Sequence, residues 1–199
     1  MPPDPRFQFQ ATADESPTLR LSSADGTGSS EAMHSLMGAY SETAYIYGTA
    51  IETMLAKGFA PRILSMGLGL GYVELLATAL FIKSDREAEA EIESFEIVPE
   101  LRDYFVAWLR QENTPADFAR TYDQIIDRTA TETGVNRREI KISLAALHRE
   151  GRWRLREALD AKTRFTASYG CICFDAFSSK TSPDLWTEEF LKEFLLRAA

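Results

Sequence analysis

Three stretches of this chain carry residues whose types and spacing could do chemistry. Gly67, Gly69 and Gly71 recur at every second position, directly after the apolar run RILSM. Glu96 follows the run EIESF, and Asp175 follows the run CICF. Glycine tolerates a positive φ and lets a ligand come close to the backbone, while a carboxylate can accept hydrogen bonds or a proton. The pattern predicts a ligand-binding turn with two carboxylates beside it.

The spacing of the glycines indicates the class of ligand. A dinucleotide site favours G-x-G-x-x-G, which seats a pyrophosphate, whereas this turn reads G-x-G-x-G. The shorter spacing suits a nucleoside with an amino-acid tail, which describes S-adenosylmethionine. Glu96 follows at roughly the ~20-residue separation expected of an acid that binds ribose hydroxyls. Each feature alone is common in purely structural turns, and it is their order together that favours a cofactor site.

The predicted cofactor-binding residues are the glycine turn, the residue before it and the end of the next strand. They are Met66, Gly67, Leu68, Gly69, Gly71, Glu96 and Ile97. No metal site is predicted. Cys171 and Cys173, the only two cysteines, are at positions that share one face of a predicted strand, and we expect them to be buried thiols.

Hydrophobic periodicity predicts the elements that position these residues. Strands are expected at RILSMG, EIESFEIV, REIKISLAAL and YGCICFDAF, and a β-hairpin at RFQFQATADESPTLRLS. Helices are expected within EAMHSLMGAYSETAYIYGTAIETMLAKG and at YVELLATALFIKS, PELRDYFVAWLRQE, TPADFARTYDQIIDRTATETG and SPDLWTEEFLKEFLLRAA. The segment GRWRLREALDAK fits either type of element.

Strands that alternate with helices predict an α/β fold, with a mostly parallel sheet covered by helices on both faces. Such sheets bind ligands beyond the carboxyl ends of their strands. The glycine turn, Glu96 and Asp175 all follow predicted strands, so one crevice is expected to collect them.

Composition limits the possible functions. The 199 residues fit one domain, in which 1–30 form a hairpin-and-loop appendage and 31–199 the main domain. The 30 acidic and 22 basic residues give a net charge of −8, which argues against tight non-specific binding of nucleic acid. We find neither a signal peptide nor a run of ~20 apolar residues, so no membrane contact and a cytoplasmic location are expected.

The most specific stretch is CICFDAFSSKTSPDLWTEEF. It resembles the D-[AG]-F-[AS]-P-x-x-N-P-[DE]-[LM]-W segment of MnmC-like tRNA methyltransferases, which methylate an aminomethyl group on the wobble uridine. The matching positions are Asp175, Ala176, Phe177, Ser178, Pro183, Asp184, Leu185 and Trp186, while Ser179 and Ser182 replace the family's Pro and Asn.

An N-terminal segment supports the same resemblance. It is similar to the family's D-x-S-x-T-L hairpin and H-S-x-x-G-A-x-x-E segment. The matches are Asp14, Ser16, Thr18, Leu19, His34, Ser35, Gly38, Ala39 and Glu42. With the glycine turn and FEIVPEL, the resemblance runs from about residue 10 to the end of the chain.

The resemblance implies a Rossmann-like class I methyltransferase fold that uses S-adenosylmethionine and methylates an amine on tRNA. Asp175 would then be the catalytic residue that orients the amine and accepts its proton, and Glu42 would line the methionine end of the cofactor pocket. His34 is expected to be a packed or surface histidine rather than a catalytic one.

Three departures from the family pattern leave other functions open. Ser65 stands where an acid usually precedes the first glycine, and Arg152 in EGRWRL is the nearest match to an adenine-contacting Asp. The sheet is also expected to lack the usual C-terminal strands, which a second copy in a homodimer could complete. The alternatives are a methyltransferase for a small amine or a protein, and a degenerate fold that serves as a non-catalytic binding module.

Overall fold

Four parallel strands form the sheet that carries the predicted site. The computed structural model describes residues 4–22, 32–159, 163–165, 168–176 and 182–198. The N-terminal hairpin pairs β1 (Phe7–Ala11) with β2 (Pro17–Leu21) in antiparallel register. The parallel sheet contains β3 (Arg62–Met66), β4 (Glu91–Phe95), β5 (Trp153–Arg156) and β6 (Cys171–Phe174). Its strand order is β5-β4-β3-β6.

Helices follow the hairpin and the strands β3, β4 and β6. The hairpin is followed by α1 (Ala39–Thr43), a π-helix (Ala44–Gly48) and α2 (Thr49–Ala56). Next come α3 (Tyr72–Lys83) after β3, and α4 (Pro99–Leu109), α5 (Ala116–Thr133) and α6 (Arg137–Arg149) between β4 and β5. A 3₁₀ turn (Pro183–Trp186) and α7 (Glu188–Ala198) follow β6. Within the residues that the structure describes, no helix is both long and apolar enough to cross a membrane.

Both faces of the sheet are covered, as the sequence predicted. Successive residues of a strand point to opposite faces, and here they enter two separate apolar clusters. Ile63 and Ile92 join the large cluster formed with α3, α4, α5 and α6. Leu64 and Phe95 join a smaller cluster with Phe194 of α7. The Rossmann-like α/β architecture is confirmed.

The prediction of a strand at REIKISLAAL is wrong, because this segment lies in α6. Ile140, Leu144 and Leu147 are fully or almost fully buried, at the i, i+4 and i+7 spacing of one helical face. Asn136 caps the helix, since its side chain accepts a hydrogen bond of 2.8 Å from the backbone N–H of Arg138. The short alternation in IKISL is compatible with a strand, but packing of the helical face decides the structure.

The segment GRWRLREALDAK, which the sequence left ambiguous, supplies strand β5. Trp153 is buried and packs edge-on against Phe105 of α4, with ring centroids 5.8 Å apart. No helix lies between β5 and β6 in the residues described there, namely 157–159, 163–165 and 168–170. Residues 23–30, predicted as a loop, are outside the described part of the chain.

The hairpin is tied to the first helix by one carboxylate. Asp14 Oδ1 accepts a 2.6 Å hydrogen bond from the Thr12 hydroxyl and further bonds from the backbone and hydroxyl of Ser16. Asp14 Oδ2 accepts bonds of 2.9 Å and 2.6 Å from the backbone and hydroxyl of Ser41. Burial opposes ionisation, but these bonds hold the pKa of Asp14 well below its usual range. The D-x-S sequence therefore has a structural role, because it holds the hairpin against α1.

Candidate functional site

A cavity opens where the carboxyl ends of the parallel strands meet. Six predicted site residues line it: Met66, Gly67, Gly69, Glu96, Ile97 and Asp175. The remaining three, Leu68, Gly71 and Glu42, do not line it. The expectation that one crevice collects the glycine turn and the two carboxylates therefore agrees with the geometry.

Two of the three glycines are required by packing against protein atoms. A Cβ on Gly67 would lie 2.7 Å from the backbone oxygen of Asp175, and a Cβ on Gly71 would lie 2.2 Å from the ring of Phe105. Both residues also have a positive φ, of 91° and 78°. Gly67 therefore lets the end of β6 approach the turn, and Gly71 lets α4 pack behind it.

Gly69 also lines the cavity, but its Cβ position is not blocked by protein atoms. A Cβ there would have only ordinary contacts, 3.7 Å from Met33 Sδ and 3.9 Å from His34 Cε1. Its backbone N–H donates a 2.9 Å hydrogen bond to Glu96 Oε2. The turn and the acid after β4 are therefore one connected unit.

Glu96 is buried, and backbone groups hold both of its carboxylate oxygens. Besides the bond from Gly69, the backbone N–H of Val98 donates a 2.8 Å bond to Glu96 Oε1. Burial raises the pKa of Glu96, and these backbone bonds and the nearby Arg102 offset part of that effect. Each carboxylate oxygen retains acceptor capacity after one hydrogen bond, so a pair of ligand hydroxyls could still bind here.

Asp175 lies on the opposite side of the glycine turn, directly after β6. Its backbone N–H donates a 2.9 Å bond to the Met66 carbonyl at the end of β3. The Tyr47 hydroxyl lies 3.2 Å from Asp175 Oδ1. Burial raises the pKa of Asp175 to about 6, with the Tyr47 bond opposing the shift and the charge of Glu42 adding to it. The carboxyl group therefore exchanges a proton close to neutral pH.

Glu42 and His34 lie near the hairpin, and each forms a polar contact there. Glu42 Oε2 accepts a 3.0 Å bond from the backbone N–H of Ser35, and His34 Nδ1 lies 3.2 Å from the Thr18 hydroxyl. Burial lowers the pKa of His34 to about 4, so its imidazole is neutral at pH 7. His34 is packed, in agreement with the sequence expectation, although it also lines the cavity.

A buried acid, Glu74, lies beside Ser65. Ser65 is the residue that stands where MnmC-like methyltransferases usually have an acid. Glu74 of α3 is fully buried, and the Ser94 hydroxyl donates a 2.7 Å bond to its Oε1. Among the residues that the structure describes, Glu74 Oε2 and Ser65 Oγ have no hydrogen-bond partner. Burial raises the pKa of Glu74 to about 7; the nearby Ser94 and Ser65 hydroxyls oppose this shift. Helix α3 thus places the Glu74 carboxylate next to Ser65 of β3.

Arg152 does not line the cavity. It lies just before β5, where its Nη1 donates bonds of 2.9 Å and 3.2 Å to the carbonyls of Glu87 and Ala90. The cavity is instead lined by Glu157, which follows the carboxyl end of β5. The interpretation of Arg152 as the adenine-contacting position was misplaced because the strand assignment here was ambiguous.

Sequence reasoning missed several residues that shape this site. Tyr47 contacts Asp175, Glu74 lies beneath the turn, and Glu157 lines the cavity. Glu74 had a visible signal, since it is the only carboxylate in the mostly apolar helix YVELLATALFIK. In the family-like C-terminal segment, Ala176, Ser182 and Leu185 line the cavity, and residues 177–181 lie outside the described part.

The fold is similar to that of one solved crystal structure. The crystal structure of MnmC2 from Aquifex aeolicus matches 100% of this chain and 58% of its own, with a TM-score of 0.58 and 23% sequence identity. This chain thus spans less than two thirds of that protein. At this identity the match shows a shared fold, which confirms the expected MnmC-like architecture. No protein-family model and no curated protein matches the sequence.

Proposed function

We propose that this protein is an S-adenosylmethionine-dependent methyltransferase that methylates an amine, with Asp175 as its catalytic residue. The observation that carries the proposal is the convergence of Gly69, Glu96 and Asp175 on one cavity at the carboxyl ends of parallel strands. Ligands of open α/β sheets bind at this position.

The residues present fit the cofactor. Gly69 leaves its side of the cavity open, and Glu96 has acceptor capacity left for two ribose hydroxyls. Met66, Phe95, Ile97 and Leu159 provide apolar walls for an adenine ring, and Glu157 could accept from its amino group. When bound, the cofactor supplies an electrophilic methyl group on a sulfonium.

Asp175 would act on the methyl acceptor. An attacking amine must be neutral, because an ammonium has no lone pair. A carboxylate with a pKa of about 6 is mostly ionised at pH 7 and can accept the proton that the amine releases. The remaining contribution is positioning, since an in-line displacement requires the reacting atoms to be aligned.

The acceptor that we favour is the aminomethyl group of a wobble uridine in tRNA. The C-terminal and N-terminal motifs support it, and so does the likeness to the MnmC2 fold. A small or peptide-borne amine is the second candidate, because the net charge of −8 and the exposed Glu157 beside the cavity favour a cationic acceptor over a polyanion.

Calorimetric titration with S-adenosylmethionine tests the cofactor. We expect binding by the wild type and loss of most binding in Glu96→Ala and Glu96→Gln, because neither variant keeps both acceptors for ribose hydroxyls. Glu112→Ala, which removes an exposed carboxylate beyond α4, is the matched control and keeps wild-type affinity. No binding by the folded wild type would support the non-catalytic module instead.

Transfer of labelled methyl tests the reaction. With undermodified tRNA as acceptor, Asp175→Asn is expected to lower kcat by about 100-fold or more, the range for loss of a general base, with unchanged cofactor affinity. Transfer to small amines but not to tRNA would select the second candidate. Equal rates in Asp175→Asn and the wild type would remove Asp175 from the mechanism.

A further inference from the structure

The Tyr47 hydroxyl connects the first long helical segment to the end of strand β6. Its Oη lies 2.9 Å from the carbonyl oxygen of Phe174 and 3.2 Å from Asp175 Oδ1. These contacts join residues 127 and 128 positions apart in the sequence. The single proton of this hydroxyl is therefore shared between the backbone carbonyl that precedes Asp175 and the Asp175 carboxylate.

The local helix geometry explains how Tyr47 reaches this position. The segment 39–56 runs through α1, the π-helix and α2 without a break. A π-helix contains an extra residue per turn, which changes the direction of its side chains, and such turns are rare and frequent at functional sites. Tyr45, on the same turn, is 80% exposed, whereas Tyr47 is half-buried against β6.

We propose that Tyr47 is a positioning residue, whose hydroxyl fixes the end of β6 and holds the Asp175 carboxylate ready to accept the proton of the methyl acceptor. The inference rests on the proposed function. It adds a residue that neither the sequence motifs nor the fold comparison pointed to.

The electrostatic surroundings give the hydroxyl a measurable effect. In the described part of the chain, the acidic groups that act on Asp175 or respond to its charge are Glu42 of α1, Glu74 of α3 and the thiol of Cys173 on β6. Burial and Glu42 raise the pKa of Asp175, and the bond from Tyr47 lowers it. Burial also raises the pKa of Tyr47 itself, so its hydroxyl keeps its proton and can donate throughout the working pH range.

The Tyr47→Phe variant tests this role, with Tyr45→Phe as the matched control on the same turn. In a ¹³C NMR titration of carboxyl-labelled protein, the Asp175 signal is assigned by its loss in Asp175→Asn. We expect its midpoint to rise by about one pH unit in Tyr47→Phe, which corresponds to one hydrogen bond to a charged group, and to stay unchanged in Tyr45→Phe.

Kinetics provide the second readout. In Tyr47→Phe the acidic limb of the kcat profile is expected to move to higher pH by the same amount, with KM for the cofactor unchanged. A purely structural role would lower the melting temperature without moving either midpoint. That result would overturn the proposal.

The two proposals can fail separately. If the wild type transfers no methyl group, the proposed function fails, while the NMR titration still decides whether Tyr47 controls Asp175. If Tyr47→Phe does not fold, 3-fluorotyrosine at position 47 retains the ring and makes the hydroxyl a stronger donor. The Asp175 midpoint is then expected to fall, and an unchanged midpoint would contradict the assignment.

Discussion

Two buried glutamates on opposite faces of the sheet are stabilised in different ways. Glu93 and Ser94 are neighbours on β4, so their side chains point to opposite faces. Glu93 contacts two guanidinium groups and a phenol, whereas Ser94 bonds the carboxylate of Glu74. One buried acid has cationic partners, and the other has only hydroxyl groups.

The Glu93 face contains a connected charged row. Arg156 Nη1 lies 2.8 Å from Glu93 Oε1, Arg154 Nη2 lies 3.3 Å from Oε2, and the Tyr169 hydroxyl also donates to Oε2. The arginine side chains remain about a third exposed, at 33% and 38%, so water still solvates them. Burying this acid is therefore compensated by nearby positive charge.

The Glu74 face adjoins the candidate site. Trp153 Nε1 donates a 3.0 Å bond to the Ser94 hydroxyl, which donates to Glu74 in turn. The charge of Asp175 adds to the effect of burial on the pKa of Glu74. On the Glu93 face, which we call the scaffold face, the buried acid is paired with cations. On the Glu74 face, which we call the site face, the acids can take up a proton near neutral pH.

Removing the charge of Glu93 on the scaffold face should have the largest destabilising effect. We expect Glu93→Ala to lower the free energy of unfolding by about 3 kcal/mol, because Arg156 would lose its carboxylate and Arg154 would keep only its longer contact with Glu91. Glu93→Gln, which keeps an acceptor for the Tyr169 hydroxyl, should recover part of the loss. Urea unfolding at pH 7 measures both variants, and a loss below ~1 kcal/mol would show that the row does not stabilise the sheet.

Neutralising Glu74 on the site face should instead raise the free energy of unfolding. The pKa of Glu74 is raised by burial to about 7, so protonation stabilises the folded state, and this stability is lost as pH rises from ~4.5 through ~7. Glu74→Gln should therefore be more stable than the wild type at pH 8, by about 3 kcal/mol, and nearly equal to it at pH 4. Urea titrations at the two pH values test this, and a pH-independent difference would contradict it.

Removing the hydroxyl between these groups should have a smaller effect. Ser94→Ala leaves Trp153 Nε1 and Glu74 Oε1 without their shared partner, which costs about 1–2 kcal/mol. The cost should be greater at pH 8 than at pH 4, because the ionised carboxylate loses more when its donor is removed. Thr78→Ala, which removes a buried hydroxyl of α3 that bonds the backbone carbonyl of Glu74 rather than its carboxylate, is the control without that pH dependence. Equal costs at both pH values would contradict the assignment.

The sequence was sufficient for those elements whose pattern had one interpretation. Alternating strands and helices with Gly and Pro at their ends predicted β3, β4, β6 and helices α3 to α5, and hence the edge of the sheet where the candidate site lies. The pattern failed at 137–149, where a five-residue alternation coincides with a helical face. Only packing of that face against neighbouring helices distinguishes the two.

The candidate site was predictable where it depends on strand ends. Glu96 and Asp175 could be placed because the carboxyl ends of parallel strands converge. Tyr47 could not, since its direction depends on a π-helix that no residue pattern announces. Glu157 could not, because the end of β5 was ambiguous in the sequence.

The smallest effect on stability is expected at Arg62. It pairs with Glu91, which extends the charged row beyond Arg154. Arg62 Nε lies 3.2 Å from Glu91 Oε1, but the Arg62 side chain is 41% exposed, and Glu91 retains a second cation, Arg154, at 3.4 Å. Arg62→Gln should therefore lower the free energy of unfolding by only about 0.5 kcal/mol, as for solvent-exposed ion pairs. Urea unfolding at low and high salt measures it, and the difference should vanish at 1 M salt. A salt-independent loss as large as that of Glu93→Ala would mean that burial does not decide the strength of these pairs, and the contrast between the two faces would lose its physical basis.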